Sequence, residues 1–187
     1  KANDLGIGMV HQHFMLIDAF TVVENIILGE EPVSGLTIDK GTAQKKIEEI
    51  SQQYGLSVDP SARISSISVG MQQRVEILKL LYRGADILIF DEQTASLTPQ
   101  EVADLMITLR KLAEEGKSII IITHKLDEIK QVADRCTVIR RGQSIDTVDV
   151  ATTTSNELAD MMVGRAVSFT TEKTPANPSD TIIDIKS

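Results

Sequence analysis

The chain has little of what many recognition surfaces are built from. It has no tryptophan, and aromatics make up 3% of its residues, which argues against recognition by stacked bases. Basic residues are outnumbered, with a net charge of −8. That argues against a nucleic-acid partner and a general membrane-surface role, though not against a specific docking patch. A single cysteine, Cys136, excludes an internal disulfide framework and suits a reducing compartment. It falls in an apolar run and reads as a core residue. No stretch approaches the roughly 20 apolar residues of a membrane span. The chain opens on Lys1 rather than Met and lacks a long apolar leader, so it reads as a cut or processed chain whose first residues are not a signal peptide. A phosphate-cradling loop of the form G-x-x-x-x-G-K-[ST] occurs nowhere in it.

What is present centres on residues 64–98, ISSISVGMQQRVEILKLLYRGADILIFDEQTASLT. Ser68 reads as an N-cap, its hydroxyl accepting a first-turn N–H. Val69, Gly70 and Met71 open a helix whose positive dipole end suits a phosphate. Gly70, lacking a Cβ, permits close approach. Val75, Ile77, Leu78, Leu80 and Leu81 supply the core face. Ile87-Leu88-Ile89-Phe90 is apolar without alternation, as in a central parallel strand covered on both faces. Asp91 and Glu92 follow directly. At the carboxyl end of such a strand, one acid can hold a hydrated Mg²⁺ and another can orient or deprotonate a water. The blander reading is a capped helix and a solvated acid pair opening a loop.

These residues resemble the ATP-binding cassette (ABC) ATPases. Ile67-Ser68-Val69-Gly70-Met71-Gln72-Gln73-Arg74 is similar to their signature motif, and Ile87 to Glu92 is similar to their Walker B strand. Ser96-Leu97-Thr98 occupies the D-loop position. The Ser-Val-Gly variant resembles the subfamily that imports simple sugars and nucleosides. The resemblance implies an α/β, P-loop NTPase-like core with a parallel sheet and an α-helical subdomain, truncated at its N-terminus. It assigns Asp91 to the metal, Glu92 to catalysis, and Ser68, Val69, Gly70, Met71 and Gln72 to the nucleotide.

Upstream, residues 6–11 read as a short strand ending near Gln12. VHQHFMLIDAFTVVENI is similar to the family's Q-loop, which implies that Gln12 contacts Mg²⁺ and the attacking water. His11 and His13 could share a strand face, but two ligands without a third make a poor metal site. Thr21 and Glu24 form a capping-box pattern before a helix to Leu28, and Gly29 ends it. Residues 30–38 read as a loop, and Asp39 to Tyr54 as a helix with Ala43, Ile47 and Ile50 on one face. The resemblance makes 14–83 the helical subdomain, which docks on a membrane permease through Phe14, Leu16, Phe20 and neighbours within 14–31.

Downstream, Thr98-Pro99-Gln100-Glu101 starts a helix with a capping box and Pro at its first position. Gly116 stops it. Ser118 to Thr123 reads as a second buried strand ending at His124. The family places a γ-phosphate-sensing histidine there. A helix at 126–132, strands at 135–141 and 143–149, and a helix at 155–163 follow. The expected divisions are 1–13 for the core strand and Q-loop, 14–83 for the helical subdomain and 84–167 for the α/β core. A polar linker at 168–179 contains Pro175 and Pro178, and 180–187 resembles the start of a second cassette.

Three positions depart from the family. Gln93 stands where the family has proline, and its greater freedom is expected to loosen the loop that carries Glu92. Met71 replaces the signature glutamine and cannot close a capping box on Ser68. Thr98 replaces the D-loop aspartate. The expectation is therefore an ATP- and Mg²⁺-dependent ATPase on the cytoplasmic face of the cell membrane. It would be paired with permease subunits and a second cassette, and it would power import of simple sugars or nucleosides. As an isolated stretch it is expected to bind MgATP weakly or not at all and to be inactive. The alternatives are a degenerate regulatory cassette, or a soluble ABC ATPase outside transport.

Overall fold

The apolar run at 87–90 becomes the middle strand of a parallel sheet. The computed structural model describes residues 2–35 and 37–166; the linker and second-cassette start expected at 168–187 lie outside the described residues. In chain order the elements are β1 (Ile7–Val10), α1 (Val22–Ile27), β2 (Val33–Ser34), β3 (Thr37–Ile38), α2 (Lys40–Tyr54), α3 (Val69–Tyr82), β4 (Ile87–Asp91), α4 (Pro99–Glu114), β5 (Ser118–Ile122) and α5 (Leu126–Val132). These belong to one compact unit, Lys1–Asp134. The second unit holds β6 (Arg135–Arg140), β7 (Gln143–Asp149) and α6 (Ser155–Val163).

In the first unit β4 lies between β1 and β5 and pairs parallel with both. The register aligns Val10 with Phe90 and Phe90 with Ile121, so all three strands finish at one edge. Val10, Leu88 and Phe90 are essentially fully buried. They join one core with Val75, Ile77 and Leu78 of α3 and Leu105, Leu109 and Leu112 of α4. Burying side chains of this size contributes about 1.5–3 kcal/mol each. Gly8 has a packing reason: a Cβ there would lie 2.9 Å from a Leu80 methyl and 3.1 Å from Ala85 Cβ. β1 and α3 therefore approach more closely than any side chain at position 8 would allow.

The other sheet face differs from expectation. Full cover was expected for β4 and burial for β5. Ile7, Met9, Ile87 and Ile89 are only half-buried, and Ile120 and Ile122 are 49% and 47% exposed. Among the described residues β5 is an edge strand, and the core helices lie on the Phe90 side. An unalternating apolar run reports that both faces are apolar, not that both are covered.

The helices before the sheet form where their end residues dictate. Thr21 and Glu24 close a capping box on α1, and Asp39 caps α2 through the Thr42 N–H. Thr98 and Glu101 close a second box on α4, with Pro99 at its first position. Residues 33–38, expected as loop, carry a two-rung antiparallel ladder, Val33 with Ile38 and Ser34 with Thr37. The segment between β1 and α1 has no regular structure and is held by side chains instead. Asn25, 1% exposed, accepts from the Ile17 N–H at 2.7 Å and donates to the carbonyls of Ile17 and Thr21. Buried Glu76 of α3 accepts the Met15 N–H at 2.7 Å, and Lys79 donates to the Met15 carbonyl.

In the second unit β6 and β7 form a hairpin across Arg141-Gly142. Both residues have positive φ, 51° and 75°, and Arg140 pairs with Gln143, the geometry of a type I′ turn. α6 opens on a Thr154–Glu157 capping box and ends at Gly164, φ 86°. Arg140 donates to the Met161 carbonyl and fills the space where a Cβ at 164 would stand. Cys136, expected in the core, is half-buried, and burial raises its thiol pKa.

Replacing Asn25 with Ala leaves the Ile17 and Thr21 groups without their buried partner. It should cost about 2–4 kcal/mol in urea unfolding of the full-length protein. Glu24 gives a pH test. Hydrogen bonds from Lys40 and from Thr21 lower its pKa from 4.5 to about 2. Its folded-state pKa is depressed, so its contribution is present above 4.5 and is lost as pH falls toward about 2. Between these values the thermal midpoint of the parent should fall more than that of Glu24→Gln.

Candidate active site

At the carboxyl edge of the sheet the chain brings together residues far apart in sequence. Glu92, the first residue past β4, has φ 48°. A non-glycine residue in this left-handed region stores about 1–3 kcal/mol of strain, held in place by its surroundings. Its N–H donates to the Ile122 carbonyl at 2.9 Å, which fastens the turn to the end of β5. Its carboxylate is gripped from two sides. Gln12 Nε2 donates to Oε2 at 3.4 Å, and His124 Nδ1 lies 3.2 Å from Oε1. An ionised carboxylate only accepts, so the proton of that contact sits on Nδ1. The tautomer leaves Nε2 for other work. His124 is two-thirds exposed and Glu92 about one-third, so the cluster opens to solvent.

Three of the expected catalytic residues, Gln12, Glu92 and His124, thus meet in one place. Asp91 ends β4 beside them and is half-buried. The metal can be judged from the donor set. Among the described residues no group of three or more His, Cys, Asp or Glu side chains could hold an ion. A Mg²⁺ held chiefly by phosphate and water needs only one or two hard oxygen donors from protein. Asp91 offers a carboxylate. Gln12, whose nitrogen faces Glu92, keeps its amide oxygen. These two fit such an ion.

The expected nucleotide-binding tip lies at the start of α3. Ser68 caps it, accepting the Met71 N–H at 3.3 Å. Val69 is 41% exposed, and the N–H groups of Val69 and Gly70 have no intrahelical partner, as in any first turn. Met71 closes no capping box, as expected. Gln72 turns back, its amide 3.4 Å from the Ile67 carbonyl and 3.5 Å from that of Ile64. Gly70 was expected to admit a ligand, but its open side already admits Glu101. A Cβ at position 70 would stand 2.1 Å from the Glu101 carboxylate oxygen. That carboxylate is fixed by the Thr98 N–H and hydroxyl, and these bonds lower its pKa. The signature turn and the D-loop end are thus wedged together.

Gln93 reverses its expectation. Rather than loosening the loop, it is buried and bonded. Its Nε2 donates to the His11 carbonyl at 2.6 Å and the Asp91 carbonyl at 3.0 Å, and its own carbonyl accepts from Gln73 at 3.3 Å. Sequence reasoning also missed Glu128, 3% exposed, which accepts from the hydroxyls of Thr94 and Thr123. It ties the loop after Glu92 to the residue before His124. Lys125 reinforces this through the Thr94 carbonyl and Glu128. The one available signal was polar residues at core-facing spacing, as with Gln73 and Glu76 among the apolar positions of α3.

A family model described as ABC transporter matches residues 1–95, just over half of the chain. The chain belongs to the ABC transporter family. It is 67% identical over 186 residues to the nucleoside import ATP-binding protein NupA of Lactococcus lactis subsp. cremoris (strain MG1363), covering 100% of this chain and 37% of that protein. It is 60% identical over 185 residues to the guanosine import ATP-binding protein NupO of Bacillus subtilis (strain 168), covering 99% and 36%. The chain therefore spans little more than a third of these relatives. Among solved structures, a nucleotide-free ATP-binding cassette from an ABC transporter superposes with a TM-score of 0.68. It is 24% identical and covers 79% of this chain and 62% of that one. The ABC fold, a parallel sheet with packed helices, is thus shared.

The wedge at Gly70 is testable in this ABC chain. Gly70→Ala should push Glu101 out of its capping box and cost about 1 kcal/mol of stability. In a Glu101→Ala background the same substitution should cost less, so the pair is non-additive in urea unfolding. Additive losses would refute the wedge.

Proposed function

We propose that the full protein hydrolyses ATP to drive import of nucleosides through a membrane permease. The observation that carries the reading is the grip on Glu92, a carboxylate held in left-handed backbone between an amide and an imidazole. The choice of nucleosides over sugars rests on the relatives. Two nucleoside importers are 67% and 60% identical, while the galactose/methyl galactoside import ATP-binding protein MglA of Escherichia coli (strain K12) is 36% identical.

Each step then falls to a named group. Glu92 keeps lone pairs on both carboxylate oxygens beyond those facing Gln12 and His124, so it can accept a proton from water attacking the γ-phosphorus. As the water oxygen bonds to phosphorus, the bond to the bridging oxygen of ADP breaks. Gln12 orients Glu92 by its nitrogen. Its amide oxygen and the Asp91 carboxylate would hold Mg²⁺, which when bound neutralises charge on the β- and γ-phosphates. His124, with Nδ1 committed to Glu92, can donate from Nε2 to a phosphate oxygen only as the imidazolium. Ser68 already accepts the Met71 N–H, and its own O–H is left to donate. With the first-turn N–H groups it would close over the γ-phosphate held by a second cassette. Stabilisation is chiefly charge and position, not covalent chemistry.

The permease would dock on the exposed apolar side chains between β1 and β3. Met15 is 66% exposed, Ile17 40%, Phe20 37% and Leu28 40%. Leu16 instead packs on the core, so its share of the docking face passes to Met15 and Ile17. No helix among the described residues is long and apolar enough to cross a membrane; attachment would be through this patch, at the cytoplasmic face. The net charge of −8 does not favour the alternative of an ABC protein acting on nucleic acid.

Glu92→Gln in the full-length protein, with its other cassette inactivated, should lower ATP turnover about 10²-fold or more while MgATP still binds. Unchanged turnover would remove Glu92 from catalysis. Binding without turnover in the parent protein would instead identify a regulatory cassette.

A further inference from the structure

Three backbone carbonyls converge beneath the site on one buried amide. Val10 ends β1 and His11 follows it, leading into Gln12; Asp91 ends β4 and leads into Glu92. Gln93 Nε2 reaches all three, at 3.4, 2.6 and 3.0 Å. Only a donor can satisfy carbonyls, so the orientation of the amide follows from its partners. The side chain is 8% exposed, and its Oε1 is buried without a donor among the described residues. A buried acceptor left unpaired costs about 1–3 kcal/mol, so the arrangement serves the nitrogen at the expense of the oxygen. The Gln93 carbonyl is taken by Gln73 of α3, and Thr94 beyond it is held by Glu128 and Lys125. The residue after the strained Glu92 is thereby tied to β1, to β4 and to the helix that begins at Ser68.

We infer that Gln93 is a positioning residue for ATP hydrolysis: its amide clamps the ends of β1 and β4 and so sets where Gln12 meets Glu92. The inference rests on the ATPase reading of this site. Gln12 and Glu92 are 80 residues apart in sequence, and their contact is at the long limit of a hydrogen bond, 3.4 Å. The β1–β4 ladder runs to Val10 and Phe90, and beyond it this contact is too long to fix the two loops by itself. The clamp beneath it, with a bond of 2.6 Å, is the shorter and more buried link. Proline, which has no donor at this position, could stiffen the turn but could not make this clamp. Glutamine supplies by side-chain bonding what a rigid ring would supply by backbone restriction.

Gln93→Met keeps length and volume but removes the donor. Gln93→Asn keeps the amide and withdraws it by one methylene. Both are made in the full-length protein, purified with its permease and with the other cassette inactivated, and activity is expressed per folded ATP-binding site. We expect kcat to fall about tenfold or more, as for other small displacements of reacting groups, with KM for ATP within about twofold. In a Gln12→Ala background the further loss from Gln93→Met should shrink to less than about threefold, because the contact it positions is already gone. If one variant does not fold, the other carries the same measurement. Undiminished kcat in the folded variant, or an equal loss with and without Gln12, overturns the inference. Glu92→Gln run alongside separates the two readings. If it retains turnover, the ATPase site itself is misassigned. If it is inactive while Gln93→Met and Gln93→Asn keep full kcat, only the clamp fails.

Discussion

The parallel pairing of β4 with β1 on one side and β5 on the other is the constraint on which the site depends. Because the three strands run the same way and are in register, their carboxyl ends lie at one edge. Gln12, Glu92 and His124 are each the first or second residue beyond a strand end or close to it. No side-chain interaction had to bring them together over a long distance. The sheet did so, and the polar links of Gln93 and Glu128 adjust the loops that follow. Phe90, Leu88 and Val10 are buried against α3 and α4, so the edge is anchored by the same core that supports the signature turn.

The polar interior has a consistent arrangement. Most buried polar side chains near the site bond to loops rather than to other helices. Asn25 and Glu76 secure the stretch after Gln12, Gln93 the strand ends, and Glu128 the segments flanking Glu92 and His124. Loops have no ladder to satisfy their backbone groups, and buried amide and carboxylate side chains take that role. A loop fixed in this way can hold one catalytic geometry without being a regular element.

Much of this was legible in the sequence, for identifiable reasons. Capping residues announced α1 and α4 because the cap chemistry is local: Thr21 with Glu24 and Thr98 with Glu101 need no tertiary partner; the box of Thr154 with Glu157 on α6 was equally local but went unread. The family resemblance implied one shared edge for Gln12, Glu92 and His124, and the three side chains do meet there. What could not be read were contacts between residues distant in sequence. Nothing local to Gln93 says that two strand ends lie above its amide, so its effect on the loop was assigned the wrong sign. Nothing local to Gly70 says that Glu101 faces it. The apolar run at 118–122 likewise carried no information about whether a layer covers it, and Ile120 and Ile122 are half-exposed.

The separation of Gln12 and Glu92 along the chain has a consequence for assembly kinetics. Between the two lie α1, α2 and α3, whose contacts are largely among themselves and which can form from neighbouring residues. Pairing β1 with β4 closes a loop of 80 residues, and its entropy cost, growing as about (3/2)RT ln n, falls due before any catalytic contact forms. Docking the finished helices shortens that loop and lowers the cost. Topology thus favours one order of events: local helices first, strand pairing next, and the grip on Glu92 last. A chain interrupted before β4 emerges has its helices but no site.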